Sequence, residues 1–556
     1  MAYLAVAIGL LSPVASANLV DSPFGDLEVH LAAVVEAQNA LLEGQFPLRV
    51  APKLHDGARY PLFQFYGNFP YTAPALIALA GVGPYTAWKL FVIGMLTSGA
   101  FALFRCAHHA TRNRAAAFLA GAVFMTSPYM LADLQQRFAY PELISFNVAP
   151  IALYFSDRAF ARRRIRYVFA SGIAWTFLAL SHNVTFLYGA LFIAASFVLR
   201  LAPTVRYVTR LAYVGAGFAW GLLLDAWHIV PQSSVVQYLA VTRSIVISPS
   251  DFTWLTPLAT LFSPTNSPVP DIRLSTPGLG LQVGWPVLIS VGVVIDALVR
   301  GVGSRRLRCG ILPPLLLFGA SFVLVWSPVD FWPRLPQIFH YVQFPYRLLI
   351  FSALWGAVLA AYALAVSFRR LTVGRAALGV IVLVLAAAPH LLAHRPLAPD
   401  ALERVIRDAD MSRSQAPELY QLAPDSISQI GGSAEALRPS ATFIDREQSS
   451  LSTTKGYPIR FRLVAEENTV VVLPVFFYPG LLEVRDRGVG VEYLHLSRWL
   501  ALHLAPGEHD VEVRFRGIAW ANAVSSVAWV VTVFYFAAVL LWSALRVGSS
   551  PSRATS

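Results

Sequence analysis

The residues best suited to chemistry gather near the N-terminus: Asp21, Asp26, Glu28, His30, Arg49, Lys53, His55, Asp56 and Arg59 share one otherwise apolar neighbourhood. Asp26 and His30 are four positions apart, so on a helix they share a face. A carboxylate and an imidazole so placed can take a proton from a hydroxyl group, the work of a general base. The nearby cations can steady an anion as it departs. Asp26 follows Gly25 at the start of a predicted helix, where a carboxylate also caps free N–H groups, and capping is the competing reading of that residue. Capping does not account for the acids, the histidine and the cations together. The catalytic candidates are therefore Asp26, with Asp21 and His30.

Further candidates lie beyond this neighbourhood. Arg347 follows Gln343-Phe344-Pro345-Tyr346 and opens an apolar run; its competing reading is an arginine that snorkels at a helix end. His182 sits beside Asn183 in a tight turn between two apolar runs, placed to touch phosphate or sugar; an interfacial hydrogen bond is the equal alternative. Asp225 and His228 lie near one end of another run, almost one helical turn apart. Ionisable groups at membrane depth are functional by default, although this pair could serve packing alone.

These side chains must be held by helices in a bilayer. The 556 residues are 56% hydrophobic and 13% charged, whereas a soluble globule carries about 25% charged residues. Apolar runs of the length that crosses a ~30 Å hydrocarbon core fall near 2–20, 84–105, 115–132, 140–156, 167–182, 183–199, 211–230, 283–299, 309–326, 346–367, 376–394 and 522–545. The expected fold is an all-α polytopic membrane bundle of about twelve spans with a β-rich domain before the last. The net charge of +12 does not indicate nucleic acid, because the basic residues sit in short clusters between apolar runs rather than along one face. Lys53, Lys89 and Lys455 are the only lysines among 43 basic residues, a bias that fits a GC-rich bacterial genome. Cys106 and Cys309 both fall at predicted cytoplasmic ends, so no disulfide framework is expected.

Orientation follows from the arginines. One set of alternate loops holds Arg105, Arg112 and Arg114; Arg158, Arg162, Arg163, Arg164 and Arg166; Arg200, Arg206 and Arg210; Arg300, Arg305, Arg306 and Arg308; and Arg369, Arg370 and Arg375. Asp157 is the sole acid among them, and the tail adds Arg546 and Arg553. Both termini are then cytoplasmic in a bacterial plasma membrane. Ala15-Ser16-Ala17 resembles a signal-peptidase site, and the alternative is cleavage there; the true start could also lie upstream.

Residues 1–394 form the expected transmembrane module, with a first outer loop over 21–83. Its stretch Leu27–Leu42 has helical spacing and is expected along the membrane surface. The Pro- and aromatic-rich run from Arg59 to Tyr71 should be irregular. Residues 395–520 read as an extracytoplasmic domain, a short helix over 399–410 followed by alternating strands at 459–464, 469–477 and 510–515. Turns at Pro479-Gly480 and Pro506-Gly507 separate them. Residues 521–556 supply the last helix and a cytoplasmic tail. No internal repeat of the transporter kind is present.

The order of Gly25-Asp26 with His30, Gly44-Gln45-Phe46-Pro47, Phe65-Tyr66, Ser181-His182-Asn183, Gln343-Phe344-Pro345-Tyr346-Arg347 and Phe477-Tyr478-Pro479-Gly480 resembles the GT-C superfamily of membrane glycosyltransferases. More narrowly, the chain resembles the YfhO-like and "6-pyruvoyl-tetrahydropterin synthase-related" bacterial membrane proteins. The sequence holds no zinc-binding histidine set of the synthase itself. The resemblance implies sugar transfer from a polyprenyl-phosphate-linked donor to an envelope glycan, lipid or protein acceptor at the outer membrane face. Asp26 would be the base, and Arg347, His182, Arg59 and Arg49 the groups around the donor phosphate. Membrane lipid is the other expected partner; no nucleic acid is expected. The sequence demands no cofactor and leaves a divalent metal open. Two other readings remain: a transporter or flippase of lipid-linked saccharide, which needs charges spread along central helices, and a non-catalytic assembly protein that binds glycan.

Overall fold

The structure, a computed structural model, describes residues 1–21, 26–200, 205–241, 256–265, 279–329, 331–368, 372–391, 394–408, 421–427, 429–436, 441–444 and 456–548. Gly25, Lys455, Arg369, Arg370 and Arg553 lie outside the described residues, as do the side chains of Asp56, Arg306 and Arg546.

Each apolar run of the sequence contains a helix, because a helix satisfies its own backbone polar groups where water is absent. The chain opens with α1 (Ala2–Leu10) and a 3₁₀ turn at Ser12–Val14. The first run is thus a nine-residue helix and not one continuous span: Pro13 stands at the head of the turn that ends it. Then come α2 (Asp26–Leu42), α3 (Phe69–Leu79), α4 (Pro84–Thr111), α5 (Arg114–Met125) and the short α6 (Pro128–Leu131). The bundle continues with α7 (Tyr140–Arg162), α8 (Ile165–Ser181), α9 (Asn183–Val198), α10 (Val205–Leu224) and α11 (Ala226–Val235). It closes with α12 (Trp285–Val299), α13 (Arg305–Trp326), α14 (Leu349–Ser367), α15 (Val373–Ala387) and, after the β region, α16 (Ala519–Gly548). By length and composition, five of the described helices can cross a membrane, or six with the bent pair Arg114–Met125 and Pro128–Gln136; several others are apolar but have only 10–17 residues. The count of about twelve spans is therefore not confirmed.

The bend between α5 and α6 is 44°. Ser127 precedes Pro128 and is extended (φ −64°, ψ 139°), as steric conflict with a following proline ring requires. A wide π-type turn, Ala132–Gln136, continues α6. Elsewhere small residues bring helices close: a Cβ on Gly221 of α10 would lie 2.6 Å from Cβ of Trp175 in α8.

The helix α2 forms where the spacing of apolar residues predicts one, but protein covers it on most sides. Leu27, His30, Leu31, Val34, Glu36, Ala37 and Ala40 are all buried. It is packed inside the molecule, against α3 and α4, rather than laid along a lipid surface. Buried Glu36 accepts a 2.6 Å hydrogen bond from the Lys53 backbone N–H, which ties the loop back to the helix.

The β region lies between α15 and α16. A short helix, Asp400–Asp408, precedes eight strands: β1 (Ala441–Phe443), β2 (Ile459–Ala465), β3 (Thr469–Phe476), β4 (Leu482–Asp486), β5 (Val489–Gly490), β6 (Leu494–Leu496), β7 (Trp499–Leu504) and β8 (Gly507–Phe515). They form two four-stranded sheets, ordered β1-β3-β7-β6 and β2-β8-β4-β5. Among the described strands, only the pairing of β1 with β3 is parallel. In β2, Ile459, Phe461 and Ala465 turn inward while Arg460 and Arg462 face out, the period-2 pattern of a sheet with one buried face. One hydrophobic core runs from Tyr3 through the helices to Val511 and Phe515.

The β region is fastened to the first loop at both of its ends. At its entry Val20 pairs with Pro396, Leu397 N–H donates to Leu19 C=O at 2.7 Å, and Asp21 N–H donates to Arg395 C=O at 2.9 Å. At its exit the buried Arg49 donates to Gln64 and to Trp227 C=O (3.1 Å), and reaches Asn522 of α16 at 2.6 Å.

Candidate active site

Four separate segments bring ionisable residues to one place at the β-domain end of the bundle. The break at Pro128 starts the first. Its wide turn presents Asp133 and, four residues on, Arg137, whose Nη1 lies 2.8 Å from Asp133 Oδ1 and 2.9 Å from the Tyr129 hydroxyl. The second is the first turn of α7, begun by Tyr140-Pro141, where Glu142 lies among N–H groups that favour a negative charge. The Tyr129 hydroxyl donates to Glu142 Oε1, and Arg137 Nη1 lies 3.4 Å from Oε2.

The third segment is the 3₁₀ turn Pro345–Leu348. Phe344 is extended before Pro345 (φ −127°, ψ 111°), again as a residue before proline must be. The turn that follows carries Arg347 inward. Its Nε stands 3.2 Å from Glu142 Oε2, and its Nη1 donates to Val342 C=O at 3.3 Å. Glu142 thereby holds two guanidinium groups through one carboxylate oxygen. The rings of Phe344 and Tyr346 stack at 5.2 Å and 8°. Arg347 lies over Phe344 at 5.1 Å, and Arg137 over Tyr346 at 5.4 Å.

The fourth segment is α2, and Asp26 is its first residue. Its half-buried carboxyl feels both guanidinium groups. Loss of water around it raises its pKa from 3.8 to about 6, against the pull of Arg137 and Arg347, with Glu28 adding to the rise. One turn further, His30 is buried and its Nδ1 is 2.8 Å from the Tyr71 hydroxyl. The rings of Tyr66, Tyr71 and Tyr140 surround it. Burial, aided by Arg137, lowers its pKa to about 3, so the imidazole is neutral at pH 7. It supports the site as an uncharged hydrogen-bonding group.

His182, the extended residue between α8 and α9, is buried and pairs with Thr185 Oγ1 at 2.9 Å. It lies within the field of Glu142, Arg347 and Arg137. Asp26, His30, His182 and Arg347 are thus brought together.

The other sequence candidates are placed elsewhere. The Asp21 carboxylate accepts the Arg395 N–H at 2.7 Å and lies 3.6 Å from His394, which makes it part of the β-domain attachment. Arg49 is held by Gln64, Asn522 and a carbonyl, above the Trp227 ring at 5.0 Å. Arg59 pairs with Glu43. His228 Nδ1 and Asp225 Oδ1 lie 3.6 Å apart, both 1% exposed, at the junction of α10 and α11.

Sequence reasoning missed Asp133, Arg137, Glu142 and Tyr129. A signal was present: three ionisable residues within ten positions, beside Pro141, at the seam between two apolar runs. Among the described residues, no group of three or more His, Cys, Asp or Glu side chains is placed to hold a metal ion.

The model of a family described as "6-pyruvoyl-tetrahydropterin synthase related domain; membrane protein" matches residues 63–395, more than half of the chain. No curated protein sequence matches it. Of solved structures, the arabinofuranosyltransferase AftD from Mycobacteria aligns at 15% identity and a TM-score of 0.44, over 80% of this chain and 29% of that one. The apo oligosaccharyltransferase of Archaeoglobus fulgidus aligns at 12% identity and a TM-score of 0.41, over 76% of this chain and 60% of that one. The chain therefore spans less than two thirds of the length of either.

Proposed function

The chain belongs to the 6-pyruvoyl-tetrahydropterin synthase related family of membrane proteins, and we propose that it is a glycosyltransferase acting at the extracytoplasmic membrane face. It moves a sugar from a polyprenyl-phosphate-linked donor to an acceptor of the cell envelope. The observation that carries this reading is Asp26, a half-buried acid with its pKa raised to about 6, in the field of two guanidinium groups. A carboxylate of that pKa is ionised at neutral pH and still basic enough to accept a proton as a bond forms.

In the proposed step Asp26 takes the proton of the acceptor hydroxyl as its oxygen attacks the anomeric carbon. The bond from that carbon to the phosphate oxygen breaks, and its electron pair stays on the phosphate. Arg347 neutralises the charge that develops there. His30 and Tyr71 fix the helix face that carries Asp26. The arginine-rich loops at the opposite end support a cytoplasmic location for that end and, with it, an extracytoplasmic Asp26.

The buried charges favour transfer over transport, since Asp133, Arg137, Glu142 and Arg347 cluster at one end of the bundle instead of lining a path across it. The test is transfer from a radiolabelled polyprenyl-phosphate sugar to membrane acceptors by the purified chain in lipid nanodiscs. Label that moves to an acceptor supports the reading. Label that crosses the bilayer of proteoliposomes while still lipid-linked would replace it with a flippase.

A further inference from the structure

We infer that Arg137 is the second half of the anion site: its guanidinium and that of Arg347 together grip one phosphate group, with Glu142 as the positioning residue that holds them side by side. The inference rests on the reading of the donor as a lipid-linked phosphate, and deepens it by assigning a residue outside the first loop.

Arginine frequently meets a carboxylate through both prongs of its fork, at about 2.7–2.9 Å. Arg137 does not. Its bonds to Tyr129, Asp133 and Glu142 all run through the single nitrogen Nη1. Its Nη2 and Nε have no partner among the described residues, and neither does Nη2 of Arg347. Both approaches to Glu142 Oε2 are long, at 3.4 and 3.2 Å. Donors are therefore left over on two guanidinium groups that share one oxygen.

The stacked rings of Phe344 and Tyr346 each stand beside one guanidinium, with Cζ 5.1 Å from the Phe344 ring for Arg347 and 5.4 Å from the Tyr346 ring for Arg137, which packs both cations against aromatic surface. Two neighbouring guanidinium groups suit the oxygens of a phosphate better than point charges do. Asp133, Glu142 and Asp26 outnumber the two arginines, so a free anion gains little here; a phosphate carried on an apolar chain has the membrane to hold it as well.

The test is direct binding of farnesyl phosphate, with farnesol and inorganic phosphate as comparators, to the purified full chain in phosphatidylcholine nanodiscs. Arg137→Lys keeps the buried charge but loses the fork. Arg137→Gln combined with Asp133→Asn removes a cation and an anion together, so that no lone charge is buried. Each should bind farnesyl phosphate roughly 10- to 100-fold more weakly, the effect of losing charge-assisted hydrogen bonds, while farnesol binding stays unchanged. Competition by millimolar inorganic phosphate would make the ligand a free phosphate, and its absence a lipid headgroup; the pair of arginines stands in both cases. Wild-type affinity in both variants, or equal wild-type affinity for farnesol and farnesyl phosphate, overturns the inference. Phosphate-dependent binding without any sugar transfer would keep the site and remove the transferase.

Discussion

Glu142 and Arg347 meet at 3.2 Å, although one opens a helix early in the bundle and the other closes a turn just before α14. Both elements are introduced by proline, Pro141 and Pro345. A proline at the first helical position costs no hydrogen bond and fixes the direction in which the helix starts. The pair thus stands where two helices begin.

Asp26→Asn should remove most transfer activity, by about 10²–10⁴-fold, since that is what a general base contributes. Expression and unfolding temperature should stay as in the wild type, because asparagine also serves well at a helix start. Full activity in the folded variant would end the assignment.

The pH dependence has a defined sign. Asp26 must be ionised to act, and its pKa is raised to about 6. The rate at low substrate should therefore fall about tenfold per pH unit below 6 and level off above it. Linkage runs the other way: a carboxyl whose pKa rises on folding adds most to stability below about pH 4, and that contribution is lost as pH climbs through 6. A rate profile flat from pH 5 to 8 would exclude Asp26 as the base.

Arg347→Lys should weaken apparent donor affinity, and Arg347→Ala more so, because the planar fork matters as well as the charge. If the residue only snorkels, lysine serves equally and the two affinities coincide. Purified variants in nanodiscs decide between them.

Arg49→Ala is the contrasting case. It removes the link between the first loop, Trp227 and Asn522, and should lower stability by about 1.5–3 kcal/mol, typical of hydrogen bonds to a charged group. Donor affinity should not change. Thermal unfolding and binding on the same preparation separate the two effects.

Orientation is tested with single cysteines in a chain whose Cys106 and Cys309 have been replaced. A cysteine at the exposed Arg163 should resist an impermeant thiol reagent in intact cells, and one at the exposed Glu467 should label. The opposite pattern would move the site to the cytoplasm.

The helices were legible because twenty apolar residues in a row have few other uses, and the strands because Ile459, Phe461 and Ala465 alternate with arginines. Their depth was harder to read. The first run breaks at Ser12-Pro13, and α2 has a polar face that is covered by protein instead of water. Within the site, Asp26, His30, His182 and Arg347 stood out as polar residues at the ends of apolar runs. Asp133, Arg137 and Glu142 did not, since averaging over a span-length window dilutes charges at its edge. Arg49 and Asp21 resembled site residues for the same reason they are conspicuous in the fold: each bridges distant segments, and a sequence does not show which segments will be neighbours.

The two attachments of the β region, Val20 with Pro396 at its entry and Arg49 with Asn522 at its exit, make it a clasped handle. It cannot tilt about one end while the other stays still, and each end is tied to the loop that flanks Asp26. A large molecule seated on those sheets would therefore exert leverage on Asp26 without touching it, and excising the β region would release the first loop along with it.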